Sequence, residues 1–207
     1  MNAMSIAPLT LVGKVVRLEP LGLDRLDELV EAGQDSSIWT YTRNGPMNSP
    51  LLMRSFIEKL LHQRSLGTDL PFVTVLTASS QVVGMTRFMD IQPENKAVEI
   101  GGTFVNPAFQ RTAVNTEAKF LMLRHAFETW ECNRVQFKTD LRNLASQRAI
   151  ERLGAIREGV LRNHIILPDG IIRSSVYYSI LAEEWPDVKT SLLLRLSTSG
   201  FEPGLEG

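Results

Sequence analysis

The sequence predicts an α+β fold, with one mixed, mostly antiparallel twisted sheet that carries helices on both faces. Several short segments alternate apolar and polar residues, which is typical of half-buried strands, and others repeat apolar residues at helical spacing. Most connections are short enough for hairpins, but a long strand–helix–strand crossover lies in the middle of the chain. That crossover predicts one parallel strand pair within an otherwise antiparallel sheet.

The first half of the chain is predicted to supply a strand, two helices and a hairpin. Leu26, Leu29 and Val30 form the apolar stripe of the first helix, and Ser49-Pro50 is a typical start for the second. Residues 1–8 are expected to be a flexible lead. Strands are expected at residues 13–21, 71–77 and 81–91, and helices at residues 24–33 and 51–65.

The second half is predicted to supply four strands and three helices. Asn143 can cap the middle helix and Gly154 can end it. Asp169-Gly170 is a hairpin turn signal, and residues 197–207 are expected to be disordered. Strands are expected at residues 97–105, 134–140, 155–167 and 171–181, and helices at residues 116–131, 143–154 and 183–196.

Composition narrows the function classes. The 207 residues carry a net charge of −1, which disfavours extended nucleic-acid binding because phosphate neutralisation needs a basic surface. A single cysteine, Cys132, excludes an intrachain disulfide, and the three histidines show no metal-ligand spacing. No signal segment or membrane-spanning stretch is visible, so a cytoplasmic protein with no metal and no membrane partner is expected.

The stretch NPAFQRTAVNTEAKFLML, residues 106–123, raises the main functional question. It reads as a strand exit, a polar loop and a helix start, and a helix N-terminus favours anions. Loops that hold phosphate usually contain glycine, and this one has none. Thr112 and Thr116 can add hydroxyl donors, Arg111 adds positive charge, Ala113 is small, and Asn115 tolerates the left-handed conformation. The alternative is that Asn115 merely caps a core helix.

Paired glycines at Gly101-Gly102 interrupt the strand before this loop. Glycine within a strand often marks a bulge or a close backbone approach. The bulge could be purely structural, or it could open the sheet for a ligand.

The order of elements and the residues at its centre resemble the GNAT family of N-acetyltransferases, and within it the branch that includes the ribosomal-protein N-acetyltransferases. The resemblance covers residues 9–186 as one domain, and leaves residues 187–207 as a C-terminal helix and tail. It rests on a Val-x-Pro step before the central loop, the loop frame, a downstream Asn-x-x-Ser with Leu-Gly-Ala, and a closing Asp-Gly-x-x-Arg. The matching residues are Val105, Pro107, Gln110 to Asn115, Asn143, Ser146, Leu153 to Ala155, Asp169, Gly170, Arg173 and Tyr178.

The resemblance implies that acetyl-CoA is the cosubstrate and that an amine is acetylated by direct attack on the thioester. The pyrophosphate would lie on the loop and helix start, and the pantetheine arm on the backbone of Phe104 and Val105, with Asn143 near it. Where many relatives carry a tyrosine acid this chain has Ile150, so Ser146 becomes the implied proton donor. The implied phosphate-binding residues are Gln110, Arg111, Thr112, Ala113, Val114, Asn115 and Thr116.

The general base and the acceptor pocket are less defined by the sequence. Glu99 precedes the loop and is the first candidate for the base, with Glu158 or a water chain as alternatives. The acceptor pocket is expected to involve Trp39, Tyr41, Arg87 and Tyr178, with His164 nearby; Arg87 could bind a carboxylate or pair with Glu99. An α-amine needs less help from a base than a lysine-type amine does, because its pKa is lower.

Two other readings of the chain stay open at this stage. It could be a catalytically silent acyl-CoA-binding module, or a structural protein that has kept only the fold. The apolar last helix could cover the core or a partner in a homodimer.

Overall fold

A computed structural model describes residues 4–167 and 169–198, and shows one eight-stranded sheet in the order β1-β2-β3-β4-β5-β6-β8-β7. All neighbouring strands are antiparallel except β5 and β6, which are parallel. The strands are β1 Leu11–Val12, β2 Val16–Pro20, β3 Leu70–Leu76, β4 Val82–Gln92, β5 Ala97–Val105, β6 Arg134–Asp140, β7 Ile156–Ile166 and β8 Ile172–Leu181. The helices are α1 Leu26–Ala32, α2 Pro50–Ser65, α3 Ala113–Arg124, α4 Leu144–Glu151 and α5 Trp185–Thr198. The predicted fold class and the single parallel crossover are therefore confirmed.

Each face of the sheet carries its own core. On one face α1 and α2 pack against β3 and β4 through residues such as Leu29, Ile57 and Val73. On the other face the apolar sides of α3, α4 and α5 pack against the centre of the sheet, where Phe88 and Val135 are fully buried. Full burial of a large apolar side chain contributes about 1.5–3 kcal/mol, so the two cores hold helices firmly on both faces.

The helices on the first face leave half of it uncovered. They lie over β2 to β4 and the end of β5, whereas on the same face β6 and β8 present polar residues: Gln136, Lys138, Ser175 and Tyr177. This uncovered polar surface is called the acceptor face below. The acceptor face lies at the parallel pair β5 and β6, and its polar side chains therefore border the candidate site.

Two helices start where the capping residues in the sequence predict. The side chain of Ser49 accepts a hydrogen bond from the Leu52 N–H at the start of α2, and Pro50 follows at the first helical position. The side chain of Asn143 accepts from the Ser146 N–H at the start of α4. Both caps were predicted from the sequence pattern.

The ends of the chain depart from the predictions. Met4 packs into the core, and the Ser5 carbonyl accepts a hydrogen bond from Trp130 Nε1, so residues 4–8 are not the flexible lead expected. Helix α5 continues through Ser197 and Thr198, which were expected in the disordered tail; residues 1–3 and 199–207 lie outside the described part.

Helix α5 covers the core, with Leu192 and Leu196 buried and Leu194 exposed. No helix in the described ranges is long and apolar enough to cross a membrane.

The central helix starts three residues earlier than predicted. It was expected at residues 116–131, but α3 begins at Ala113 and gives way to a wider π-helical turn at His125–Thr129. Thr112 supplies the cap, because its side chain accepts a hydrogen bond from the Val114 N–H. A threonine and an asparagine three positions apart could each cap this helix, and the first of them does.

Candidate active site

The parallel strands β5 and β6 separate partway along their length. They pair from Ala97 with Arg134 to Glu99 with Gln136, and β5 then runs on through six more residues without pairing to β6. Since parallel strands end at the same edge of a sheet, the N-termini of α3 and α4 both meet this opening. The opening, residues 100–105 against the end of β6, is called the fork.

A bulge in β5 makes the fork. The register between β4 and β5 shifts between Met85 and Arg87, and Gly102 has a φ of +56°. A Cβ at this position would lie 2.7 Å from Arg87 Nε, so both the φ angle and the close approach require glycine. The predicted bulge at Gly101-Gly102 is confirmed.

Phe104 and Val105 form the free end of β5. Phe104 is buried on the first core and packs against Trp39 with ring centroids 4.8 Å apart. Its backbone pairs with Met85 on the β4 side. The Val105 carbonyl accepts a hydrogen bond from Gln110 Nε2 at 3.0 Å, so Gln110 ties the loop to the strand end.

The loop between β5 and α3 turns sharply at a residue for which the sequence did not predict the left-handed conformation. Arg111 has the left-handed conformation, with a φ of +61°, and it is exposed. Asn115 lies inside the first turn of α3, so the alternative that it caps the helix is wrong, and its tolerance of the left-handed conformation is not used. Ala113 is likewise helical, which explains on conformational grounds why the loop needs no glycine at either position.

The first turn of α3 opens onto the fork side of the loop. A helix leaves its first N–H groups without intrahelical acceptors and carries a partial positive charge at that end. Thr112 is exposed, and Asn115 and Thr116 are half-buried. Within this turn, Val114 is buried in the core and contributes only its backbone.

Glu117 lies one residue further along α3 and points away from the loop. Its buried carboxylate accepts hydrogen bonds from the N–H groups of Lys14, Val15 and Val16 at 3.0, 2.7 and 2.7 Å. A negative charge so close to the helix start would oppose an anion there, but these three donors hold it and partly neutralise it. The helix end therefore keeps its positive character.

Ser146 lies at the start of α4, next to the end of β6. The Ser146 N–H donates a hydrogen bond to Asn143 Oδ1 at 3.0 Å, while its half-buried hydroxyl takes no part in this cap. Its backbone thus fills the structural role expected of it, and its side chain stays available for chemistry.

Glu99 lies at the closed end of the fork, on the acceptor face, with 4% of its surface exposed. Its Oε2 accepts hydrogen bonds from Gln136 Nε2 and Lys138 Nζ, each at 3.0 Å. Among the described residues nothing donates to its Oε1. The carboxylate is therefore fixed through one oxygen and free at the other.

The predicted pocket residues separate into two groups. Tyr41 and Arg87 border the acceptor face. Tyr41 is half-buried, and its backbone carbonyl accepts a hydrogen bond from Arg173 Nη1. Arg87 forms an ion pair with Asp69 at 3.1 Å rather than with Glu99. Trp39 is buried and donates from Nε1 to the Gly33 carbonyl, so it supports Phe104 from behind.

Tyr178 is wrongly placed by the sequence analysis. It is fully buried on the opposite face, where its hydroxyl donates to Gln147 and Glu151 of α4. Its neighbour Tyr177 faces the acceptor side instead, because successive strand residues alternate between faces. Two adjacent tyrosines give no sequence signal for which one faces the site.

His164 reaches the acceptor face through a second bulge. The register of β7 and β8 shifts between Leu161 and Ile165. As a result His164 Nδ1 lies 2.9 Å from Ser175 Oγ, and Nε2 lies 3.4 Å from the Tyr177 hydroxyl. Burial lowers the pKa of His164, and the charges of Lys138, Arg173 and Arg43 lower it further.

Two buried reactive groups lie outside the acceptor face. Burial raises the pKa of the Cys132 thiol to about 12, which makes it a packing residue and not a nucleophile. Lys119 of α3 is 5% exposed and bonds only to the hydroxyls of Thr86 and Thr103, at 2.6 and 2.7 Å. Burial lowers the pKa of its ammonium to about 7.

The described residues contain no cluster of three or more His, Cys, Asp or Glu side chains that could hold a metal ion. A cavity of about 340 Å³ does open at the paired end of β5 and β6, lined by Glu99, Gln136 and Arg134 among others. Its lining continues the acceptor face toward the start of β6.

Comparison with known proteins decides the family. Residues 16–156 match the model of the acetyltransferase (GNAT) domain, which is more than half of the chain. The chain belongs to the GNAT family. It is therefore an acyl-CoA-dependent acetyltransferase.

Individual relatives agree with this membership. The "Putative ribosomal N-acetyltransferase YdaF" of Bacillus subtilis (strain 168) is 28% identical over 174 residues, covering 83% of this chain and 92% of that protein. A "putative acetyltransferase" of T. thermophilus has a crystal structure that matches with a TM-score of 0.85 and 40% identity, over 93% of this chain and 100% of that one. "Mycobacterium smegmatis RimJ in complex with CoA-disulfide" shares the GNAT fold, with a TM-score of 0.74 and 22% identity over 94% and 93% of the two chains.

Proposed function

We propose that the chain transfers an acetyl group from acetyl-CoA to the nitrogen of a primary amine by direct attack through a tetrahedral intermediate. The amine nitrogen forms a bond to the thioester carbonyl carbon, and the carbon–sulfur bond then breaks. The amine loses a proton, and the departing CoA thiolate gains one. The acceptor is either a protein N-terminal α-amine or a small-molecule amine.

The observation that carries this proposal is the fork with Glu99 at its closed end. A slot between two parallel strands offers backbone groups of β5 to an extended arm, and it leads from a helix N-terminus toward a fixed carboxylate. An acyl donor on one side and an amine on the other would meet at that carboxylate.

The CoA end is assigned to the loop and the start of α3. In this proposal the pyrophosphate lies against the first N–H groups of the helix, with Arg111 and the hydroxyls of Thr112 and Thr116 beside it. Gln110 supports the loop through its bond to Val105. The backbone of Phe104 and Val105 pairs with the pantetheine arm, and Asn143 lies across the fork from them.

Glu99 is assigned as the general base. Its Oε2 is held by Gln136 and Lys138, which fixes the position of the unbonded Oε1 toward the amine. A base must stand within hydrogen-bond reach of the proton that it removes, directly or through one water. An α-amine, with a pKa near 8, loses its proton more easily than a lysine-type amine does.

Ser146 is assigned as the acid for the leaving sulfur. Its hydroxyl is not needed by the α4 cap, and it stands at the same sheet edge as the end of β5. The oxyanion would be stabilised by a backbone N–H near Val105.

Turnover of acetyl-CoA with a panel of amines tests this function. We expect free CoA thiol and the acetylated amine to form in equal amounts, and the Ser146→Ala variant to lower kcat by about 100-fold. Alanine keeps the helix and its cap, so Ser146→Ala should unfold at the same temperature as the wild type. Tight acetyl-CoA binding without turnover on any amine would support a silent acyl-CoA-binding module instead.

A further inference from the structure

Most cationic side chains around the acceptor face form an ion pair with a carboxylate of the protein. The pairs are Lys138 with Glu99 at 3.0 Å, Arg87 with Asp69 at 3.1 Å, Arg142 with Asp140 at 2.7 Å, and Arg134 with Glu158. Two further cations at this face, Arg43 and Arg173, form no ion pair with any described residue.

Arg173 is a buried guanidinium with only neutral partners. It is 5% exposed on β8, and it donates to Ser175 Oγ at 3.1 Å and to the Tyr41 carbonyl at 3.3 Å. Burial lowers the pKa of this guanidinium, and the charges of Asp140 and Glu99 act in the other direction without forming an ion pair with it. A guanidinium has five donors in a planar fork, so donors remain for a further acceptor.

Arg43 lies two residues after Tyr41, whose carbonyl accepts a hydrogen bond from Arg173. The Arg43 side chain is exposed. Burial is the main reason that the pKa values of Arg87, His164 and Arg173 are lowered, and repulsion from Arg43 adds to all three. The bond from Arg173 Nη1 to the Tyr41 carbonyl holds this segment against β8, which places Arg43 at the edge of the acceptor face.

The same electrostatic neighbourhood includes Glu99. Its charge acts on Arg87, His164 and Arg173 in the opposite sense to that of Arg43. The free oxygen of Glu99 and the guanidinium groups of Arg43 and Arg173, which form no ion pair with a described residue, therefore border one surface, with the carboxylate at the fork and the guanidinium groups toward β8.

We propose that the acceptor carries a carboxylate close to its amine, and that Arg43 and Arg173 bind this carboxylate while the amine lies at Glu99. The inference rests on the proposed acetyltransferase function and names its acceptor class. A carboxylate matches the guanidinium fork in a bidentate way, and supplies the ion-pair partner that neither guanidinium has among the described residues. Polyamines and other purely cationic amines are poor acceptors, because two like charges oppose them.

The carboxylate could come from two sources. It is either the α-carboxylate of a free amino acid or an acidic side chain next to the N-terminus of a peptide. Matched probes separate these sources: glycine against glycinamide, and the C-terminally amidated peptide Ala-Asp-Ala against Ala-Asn-Ala. Each pair keeps the primary amine and replaces a carboxylate with a neutral amide. Because the carboxylate also raises the pKa of the glycine amine, the decisive readout is the loss of the preference in Arg43→Gln, where the probes are the same.

The experiment measures kcat/KM for the four probes with wild type, Arg43→Gln and Arg152→Gln. We expect one charged probe to exceed its amide partner by about tenfold or more, and Arg43→Gln to remove that preference. Arg152→Gln is the matched control, because Arg152 is an exposed arginine at the end of α4, on the other face of the sheet. It should keep the preference.

Equal rates for charged and neutral probes would overturn the carboxylate site while the acetyltransferase function stands. If no probe is acetylated, the function itself is in question, and calorimetric binding of the same probes in the presence of CoA decides about the site. Selective binding of a charged probe that is lost in Arg43→Gln would support the site. Binding without selectivity, or no binding of any probe, would overturn it.

Discussion

At the scale of single residues, the fixed carboxylate of Glu99 makes the sharpest prediction. Glutamine at this position keeps the shape and the bond to Lys138, but it cannot take a proton. We expect Glu99→Gln to lower kcat/KM by about 100-fold or more with little change in acetyl-CoA affinity. Steady-state kinetics and calorimetry measure the two quantities.

Glu158→Gln is the matched control for the base. Glu158 was an alternative base in the sequence analysis, but both of its oxygens bind Arg134, and one also accepts from Ser179. Its substitution should change kcat/KM by less than about threefold. A large loss of kcat/KM in Glu158→Gln together with a small loss in Glu99→Gln would identify Glu158 of β7, and not Glu99, as the general base.

Lys119 makes a prediction about stability and pH. In the unfolded chain a lysine keeps its proton up to about pH 10.4, whereas in the folded protein its pKa is about 7. Between these values the unfolded state binds one more proton, so stability rises with pH across this window and the burial penalty is full below pH 7. Lys119→Met should therefore increase the free energy of unfolding by about 3–5 kcal/mol at pH 6, and by much less at pH 9.5.

Denaturant unfolding at pH 6 and pH 9.5 tests this, with Lys59→Met as the control. Lys59 is an exposed lysine of α2, and its substitution should have the same small effect at both pH values. A gain from Lys119→Met that does not change with pH would mean that the lysine is not buried in its charged form.

At the same scale, the sequence analysis named Glu99, Ser146 and Asn143 as candidates, and quoted Arg173 as part of a motif. It gave no sign that Lys138, Arg173 and Tyr177 lie on one face of the sheet. These three become neighbours only through strand register, since Lys138 lies opposite Tyr177 across β6 and β8. Register is set by long-range pairing, which a local pattern does not contain.

At the scale of elements, α3 is held in place by a bond network that the sequence does not show. Glu117 binds three consecutive N–H groups of the turn between β1 and β2, and Gly13 allows it because a Cβ there would lie 2.5 Å from the carboxylate. Leaving a buried donor unsatisfied costs about 1–3 kcal/mol. The contact therefore anchors the helix whose N-terminus faces the fork.

Glu117→Ala should lower the free energy of unfolding by about 3 kcal/mol or more, since at least one of the three N–H groups is fully buried with it. Glu117→Gln keeps one acceptor oxygen and should lose less. Chemical unfolding of both variants measures the difference. Equal losses would show that charge, and not the number of acceptors, determines the anchor.

The start of α3 shows why caps are difficult to place from sequence. Thr112 and Asn115 are both good capping residues, three positions apart, and the pattern alone favoured the later one. The structure selects Thr112, because Arg111 before it takes up the left-handed turn and Val114 enters the core. Tertiary packing of Val114 decides between two local signals of similar strength.

At the scale of the whole molecule, the order of elements and the single parallel crossover were predictable. They follow from periodicity and connection length, which are local properties. Strand β1, with two residues, is too short to give a pattern, and the packing of Met4 depends on a core that the N-terminus meets only after folding. The separation of β5 from β6 was predicted only through the glycine pair and the family resemblance.

The proposed mechanism requires acetyl-CoA to lie across the fork with its pyrophosphate at the start of α3. Asn115→Asp tests this directly, because an acid in the first helical turn stabilises the helix but repels a phosphate at the same place. Calorimetric titration of acetyl-CoA into wild type and Asn115→Asp is the measurement, with Asn115→Ala as the neutral control. We predict micromolar binding by the wild type, a Kd raised by about tenfold or more in Asn115→Asp, and an unchanged or higher Tm for that variant. Equal affinity in wild type and Asn115→Asp, or no binding by the wild type, would contradict the account.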